Sequence, residues 1–163
     1  MKSRILHEGI APEGMSARDP PMPLRVYIVE DDPTMREMLA DFLARNPEIE
    51  LCGARGSAEE ALLDLPAAYP SVVLVDLSLP GRSGLELLCE INERWDVPCL
   101  VLSGHRKKDL VDRALAAGAR GYVLKDNPLE IPGAIRQVMQ GEIYLSTSLS
   151  DPRDTESGDP LQA

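Results

Sequence analysis

Between residues 24 and 140 two kinds of hydrophobic pattern alternate. Short unbroken apolar runs, "LRVYIV", "IELCG", "SVVLV", "VPCLVL" and "RGYVL", read as strands buried on both faces. A segment with helical spacing follows each of them. "PTMREMLADFLARN" puts Met35, Met38, Leu39, Phe42 and Leu43 on one face, with charges opposite. "SAEEALLDLPAAY" is shorter and is interrupted by Pro66. "SGLELLCEINERW" and "KKDLVDRALAAGA" repeat the pattern, the latter stopping at Gly118. The last helix takes Pro132 into its first turn and runs through Gln140, with Gly141 after it.

Five β-α units in strict alternation predict an α/β fold, a parallel sheet with helices on both faces. At this length an open, doubly wound, flavodoxin-like sheet of five strands in the order 2-1-3-4-5 fits better than a closed barrel. Ligands of such sheets bind beyond the carboxyl ends of the strands, where the order reverses between the first and the third.

The residues at those ends carry chemistry. The first strand runs into "VEDDP", the third into Asp76, the fourth into Ser103, and the fifth is "YVLK", Tyr122 to Lys125. A lone carboxylate after a buried run is a solvated strand end or a working group, and the convergence of acids, a hydroxyl and an ammonium favours the second. Asp31 and Asp76 would lie side by side and repel. A hard divalent cation relieves that repulsion, and Mg²⁺ prefers oxygen ligands. Such a site suits an aspartate that accepts a phosphoryl group as an acyl phosphate. The metal and Lys125 would neutralise the transferring oxygens, and Ser103 would donate a hydrogen bond to one of them. Asp32, just before Pro33, is placed as the N-cap of the first helix rather than as a metal ligand.

In their order and spacing, Glu30-Asp31, "DLSLPGRSGLELL" from Asp76, "VLSG" with Ser103 and "GARGYVLKD" with Lys125 resemble the receiver domain of bacterial two-component response regulators. The resemblance spans residues 24–146, about three quarters of the chain. It implies that Asp76 is the phosphoacceptor, charged from a phosphohistidine on a sensor histidine kinase or phosphotransfer protein. It implies Mg²⁺ ligation by Asp31, Asp76 and the Ser78 carbonyl, with Glu30 acting through a bound water. Ser103 and Tyr122 match the family's switch pair, in which the hydroxyl moves to the phosphoryl group and the aromatic ring turns inward. That movement would alter the face formed by the fourth helix, fifth strand and fifth helix, towards a downstream protein partner or a phosphorylation-promoted homodimer. Ser78 and His105 resemble positions that tune phosphoryl lifetime, and Gly104 would leave the group room. Many relatives place a proline across a cis peptide after this lysine, whereas Asp126 follows here. No enzymatic turnover is implied beyond Mg²⁺-dependent self-phosphorylation and slow autodephosphorylation.

Composition adds limits. The chain has 163 residues, 44% hydrophobic, so one domain with loose ends is expected. Residues 1–23 and 147–163 lack apolar period and read as a disordered arm and a disordered acidic tail. Met1, Met15 and Met22 are all candidate starts. No apolar stretch approaches the ~18 residues of a membrane span, and no secretory signal is evident. Cys52, Cys89 and Cys99 sit in apolar segments and read as reduced core residues of a cytoplasmic protein. A net charge of −10 disfavours direct nucleic-acid binding by this chain.

Other functions fit less well. An aspartate-nucleophile phosphatase usually needs a second acid two residues on, where Ser78 stands. Neither G-x-x-x-x-G-K-[ST] nor G-x-G-x-x-G occurs. A degenerate receiver acting as an unphosphorylated binding module is disfavoured by the complete acid, hydroxyl and lysine set. "GARGYVLKD" and "AIRQVMQGEIYLS" most resemble the branch whose receivers precede a helix-turn-helix domain. The chain is therefore read as a stand-alone receiver switch or as a truncated transcription regulator without its DNA-binding domain.

Overall fold

A computed structural model describes residues 22–149. The strands are β1 (Leu24–Val29), β2 (Ile49–Arg55), β3 (Val72–Asp76), β4 (Cys99–Ser103), β5 (Gly121–Leu124) and β6 (Tyr144–Leu145). The helices are α1 (Pro33–Ala44), α2 (Ala58–Ala68), α3 (Gly84–Arg94), α4 (Lys108–Ala116) and α5 (Ile131–Met139), with short 3-10 turns at Pro128–Glu130 and Thr147–Leu149. All five strand pairings are parallel and the order is β2-β1-β3-β4-β5-β6. The predicted doubly wound sheet is present, extended by a sixth strand.

Strand alternation splits the core into two layers. Tyr27, Val29, Val73, Val75 and Val101 face α2, α3 and α4 through Ala61, Leu65, Leu87, Leu88 and Ala114. Val26, Ile28, Leu74, Leu100 and Val123 face α1 and α5 through Leu39, Leu43, Ile135 and Val138. The same period, carried one step past the strands, gives Glu30, Asp76 and Lys125 one parity and Ser103 and Tyr122 the other.

The helix starts follow local chemistry. Asp32 caps α1, its Oδ1 accepting from the Thr34 amide at 3.0 Å. Ser57 caps α2, and Ser83 with Glu86 forms a capping box on α3. By contrast, α4 begins at Lys107 with no side-chain cap.

Three elements differ from the sequence reading. Pro66 lies inside α2 without interrupting it, close enough to the C-terminus to remove little of the helical ladder. Residues 147–149, assigned to the tail, form a 3-10 turn packed on the domain, and β6 was not foreseen because two residues carry no period. The rest of the arm and the tail, 1–21 and 150–163, lies outside the described residues. Among the described residues no peptide bond is cis, Lys125–Asp126 included. The three cysteines are free, and only Cys99 is buried.

Candidate functional site

The carboxyl ends of β1, β3 and β5 bring Glu30, Asp76 and Lys125 together, as their shared parity requires. The Lys125 ammonium lies 2.9 Å from Glu30 Oε1 and 3.0 Å from Asp76 Oδ2. Both carboxylates are buried, Glu30 0% and Asp76 1% exposed, while Asp31 beside them is exposed. The backbone fixes the remaining oxygens: Asp76 Oδ1 accepts from the Ser78 amide at 2.9 Å and Glu30 Oε2 from the Asp32 amide at 3.1 Å.

Two buried carboxylates thus share one ammonium, and the electrostatics follow from that imbalance. Burial, then the Asp76 carboxylate beside it, pushes the Glu30 carboxyl up to about 7. Burial also pushes Asp76 upward, but neighbouring Glu30, the Ser78 amide and Lys125 outweigh it and hold Asp76 below its usual range. Burial opposes the charge on Lys125, yet its two acidic partners raise it above an ordinary lysine.

Glu30, Asp31 and Asp76 each offer an oxygen within 4.8 Å of the others. An all-oxygen, mainly anionic set fits a hard cation such as Mg²⁺. Apart from the Lys125 ion pair, Glu30 Oε1 and Asp76 Oδ2 have no hydrogen-bond partner, so the residues present suit the ion. Ser78 follows Asp76 on an exposed turn, and its amide is already engaged with that carboxylate.

A close approach shapes this turn. A Cβ at Gly84 would overlap the Asp76 carbonyl oxygen, so glycine lets α3 start directly against the end of β3. Gly81 adopts φ +67, and the next residue's amide, Arg82, donates to Glu59 Oε2 of α2 at 3.1 Å.

Ser103 and Tyr122 lie on the neighbouring strands β4 and β5. Ser103 is 1% exposed and its Oγ accepts from the His105 amide at 3.0 Å. Tyr122 is fully buried with its ring turned inward, and its hydroxyl donates to the His105 carbonyl at 2.8 Å. The pair is therefore joined through the backbone of His105, whose side chain is on an exposed loop. A Cβ on Gly104 would have nothing within 4 Å, so space is open there.

Two contacts at this edge escaped the sequence reading. The Arg36 guanidinium donates to the Glu30 carbonyl at 2.6 Å and so ties α1 to the strand end bearing the acids. Arg106 pairs with Asp126 at 2.8 Å, linking the loop after Ser103 to the loop after Lys125. The only signal for either was an arginine near a site residue, which is too common to single out.

The response regulator receiver domain family matches residues 26–136. The DNA-binding transcriptional activator DevR/DosR of Mycobacterium tuberculosis is 36% identical over 124 residues, 75% of this chain and 57% of that protein. The transcriptional regulatory protein UhpA of Salmonella typhimurium is 34% identical over 139 residues, 85% of this chain and 70% of that protein. The chain thus spans well under two thirds of the first relative's length. Among solved structures, a LuxR-family two-component response regulator from Aurantimonas superposes with a TM-score of 0.74 at 28% identity, covering 78% of this chain and 93% of the other. The receiver domain of a NarL regulator from Mycobacterium tuberculosis gives 0.68 at 28% identity, covering 75% and 100%. With the family matching residues 26–136 and the fold agreeing, the chain belongs to the response regulator receiver domain family.

Proposed function

We propose that this protein is a phosphorylation-controlled signalling switch in which Asp76 accepts a phosphoryl group from a phosphohistidine. The observation that carries the reading is the buried Glu30–Asp76 pair facing one ammonium, Lys125, beside exposed Asp31. Such a pair is short of positive charge, and an incoming cation makes up the deficit, so that a phosphoryl group can then be received. Mg²⁺ held by Glu30, Asp31, Asp76 and the Ser78 carbonyl would supply charge neutralisation for the transferring oxygens. In the transfer, an Asp76 carboxylate oxygen attacks phosphorus and the phosphorus–nitrogen bond of the phosphohistidine breaks. Its electron pair returns to the imidazole, which leaves neutral because its other ring nitrogen carries a proton. Lys125 stabilises charge on the phosphoryl oxygens, and Ser103 donates a hydrogen bond to one of them.

The readout passes through Ser103, the His105 backbone and Tyr122 to the surface of α4, β5 and α5. The uncapped start of α4 suits a segment that shifts at low cost. Ser78 and His105, at the rim, set how readily water reaches the phosphoryl group. The protein acts as a cytoplasmic switch with no catalysis beyond its own phosphorylation and slow dephosphorylation. Its partners are a sensor histidine kinase or phosphotransfer protein and a downstream protein, or a second copy of itself when phosphorylated. Its end point is transcriptional regulation, as the relatives' descriptions suggest.

The test is intact mass after incubation with Mg²⁺ and acetyl phosphate, for wild type and Asp76→Ala. One phosphoryl adduct is expected, lost in the variant and on chelation of Mg²⁺. An adduct that survives Asp76→Ala would overturn the assignment.

A further inference from the structure

The sixth strand carries a polar arrangement that the phosphorylation site does not need for its own chemistry. Ser146 is fully buried, which is unusual for a serine and requires partners. Its amide donates to the Tyr122 carbonyl at 3.0 Å, and its Oγ accepts from the Leu124 amide at 2.9 Å. The same hydroxyl donates to Glu130 Oε2 at 2.8 Å. Glu130 Oε1 also accepts from the Tyr144 hydroxyl at 2.6 Å and from the Thr147 amide at 3.1 Å.

One serine therefore grips the backbone of β5 at two points. The first is the residue whose ring turns towards the β4–α4 loop; the second immediately precedes Lys125. A strand of two residues has few ladder bonds, so its docking rests on the Glu130 clamp together with the packing of Leu145 and Leu149 on the core. After β6 the chain continues for some eighteen more residues, to Ala163. β6 is thus the joint between the site-bearing strand and everything that follows it.

We propose that β6 is a docked lever, clamped by Glu130 through Ser146 and Tyr144, that couples the phosphorylation state of Asp76 to the chain beyond residue 146. The inference rests on the phosphoacceptor reading above. A phosphoryl group gives Lys125 a further anion to hold and so fixes the end of β5 in the arrangement that Ser146 binds. Phosphorylation tightens β6, and by reciprocity a loosened β6 weakens loading of the site. The lever also covers the outer edge of β5, so a partner that pairs with that edge must displace it.

The test uses the full chain loaded with Mg²⁺ and beryllofluoride, a phosphoryl mimic that binds at equilibrium. Amide exchange is followed at Leu124 and Ser146, whose protons are released only when β6 undocks. Loading should slow exchange at both by about fivefold or more. Glu130→Gln should speed exchange and weaken beryllofluoride binding by a matching factor, and Tyr144→Phe should do the same to a lesser degree. Unchanged exchange on loading overturns the lever. So does a Glu130→Gln protein with loose β6 and undiminished affinity. Wild type that fails to bind beryllofluoride at all, seen directly by fluorine resonance, overturns the phosphoacceptor reading first and the lever with it. Should Glu130→Gln not fold, Tyr144→Phe and the loading effect on wild type still decide.

Discussion

Two carboxylate clusters stand near the C-terminal end of β5, and they are built on opposite principles. At one, Glu30 and Asp76 share the ammonium of Lys125, and Glu30 is pushed up to about 7 by burial and by its neighbour. At the other, Glu130 accepts from two hydroxyls and one amide. Burial works against the Glu130 charge, but those donors prevail and hold its carboxyl below the usual range. The first cluster has more acid than its partners satisfy; the second has donors enough for one acid. An under-satisfied buried site stores affinity for something not yet bound, whereas a satisfied one holds the chain in place. The same chemical change, a charge removed or an acid made an amide, should therefore act differently at the two.

Lys125→Met gives the largest effect. It leaves two buried carboxylates without their counter-charge, and breaking a buried pair in this way costs about 3 kcal/mol at neutral pH. Chemical denaturation checks this. Added Mg²⁺ should restore more stability to the variant than it adds to wild type, since the cation then replaces the missing charge. The rate of phosphorylation by acetyl phosphate should fall about 10²-fold, as on losing one preorganised donor to a developing charge. Equal stabilisation of both proteins by Mg²⁺ would mean that the acids do not hold the ion.

Glu130→Gln comes next. The amide nitrogen presents hydrogens to at least one of the former donors, and the charge assistance is lost. Such losses run to about 1–2 kcal/mol. Thermal or denaturant unfolding should show the protein less stable by that amount, with β6 opening before the rest.

The contrast also bears on what could be read from the chain alone. Asp76 and Lys125 were legible because each ends an apolar run whose identity as a strand is fixed by composition, and a parallel sheet puts such ends on one edge. Asp32 was legible as a cap because its partner is two residues away, at Thr34. Glu130 was not, since its donors lie 14, 16 and 17 residues on and meet it only after α5 has folded back. β6 stayed hidden for a related reason: two residues show no alternation, and tertiary contacts alone make them a strand. Pro66 misled in the other direction, because a breaker near the end of α2 is tolerated once Ala61 and Leu65 are packed in the core.

Asp76→Asn gives the smallest change and sharpens the comparison most, because it acts on the slope of stability with pH. In wild type without metal, the raised Glu30 carboxyl lets the folded protein keep a proton that the unfolded chain releases at the ordinary glutamate value. Between about pH 4.5 and the folded value of about 7 the native state binds more protons, so wild-type stability falls as pH rises through that window. Asparagine at position 76 removes the second cause of that rise and leaves Glu30 with Lys125 as a balanced pair. Burial, the first cause, remains. The variant should therefore lose stability less steeply over the same window. Denaturant midpoints across the pH range in metal-free buffer measure this directly. A variant whose stability falls as steeply as that of wild type would show that Asp76 does not raise Glu30, and the distinction between the two clusters would fail.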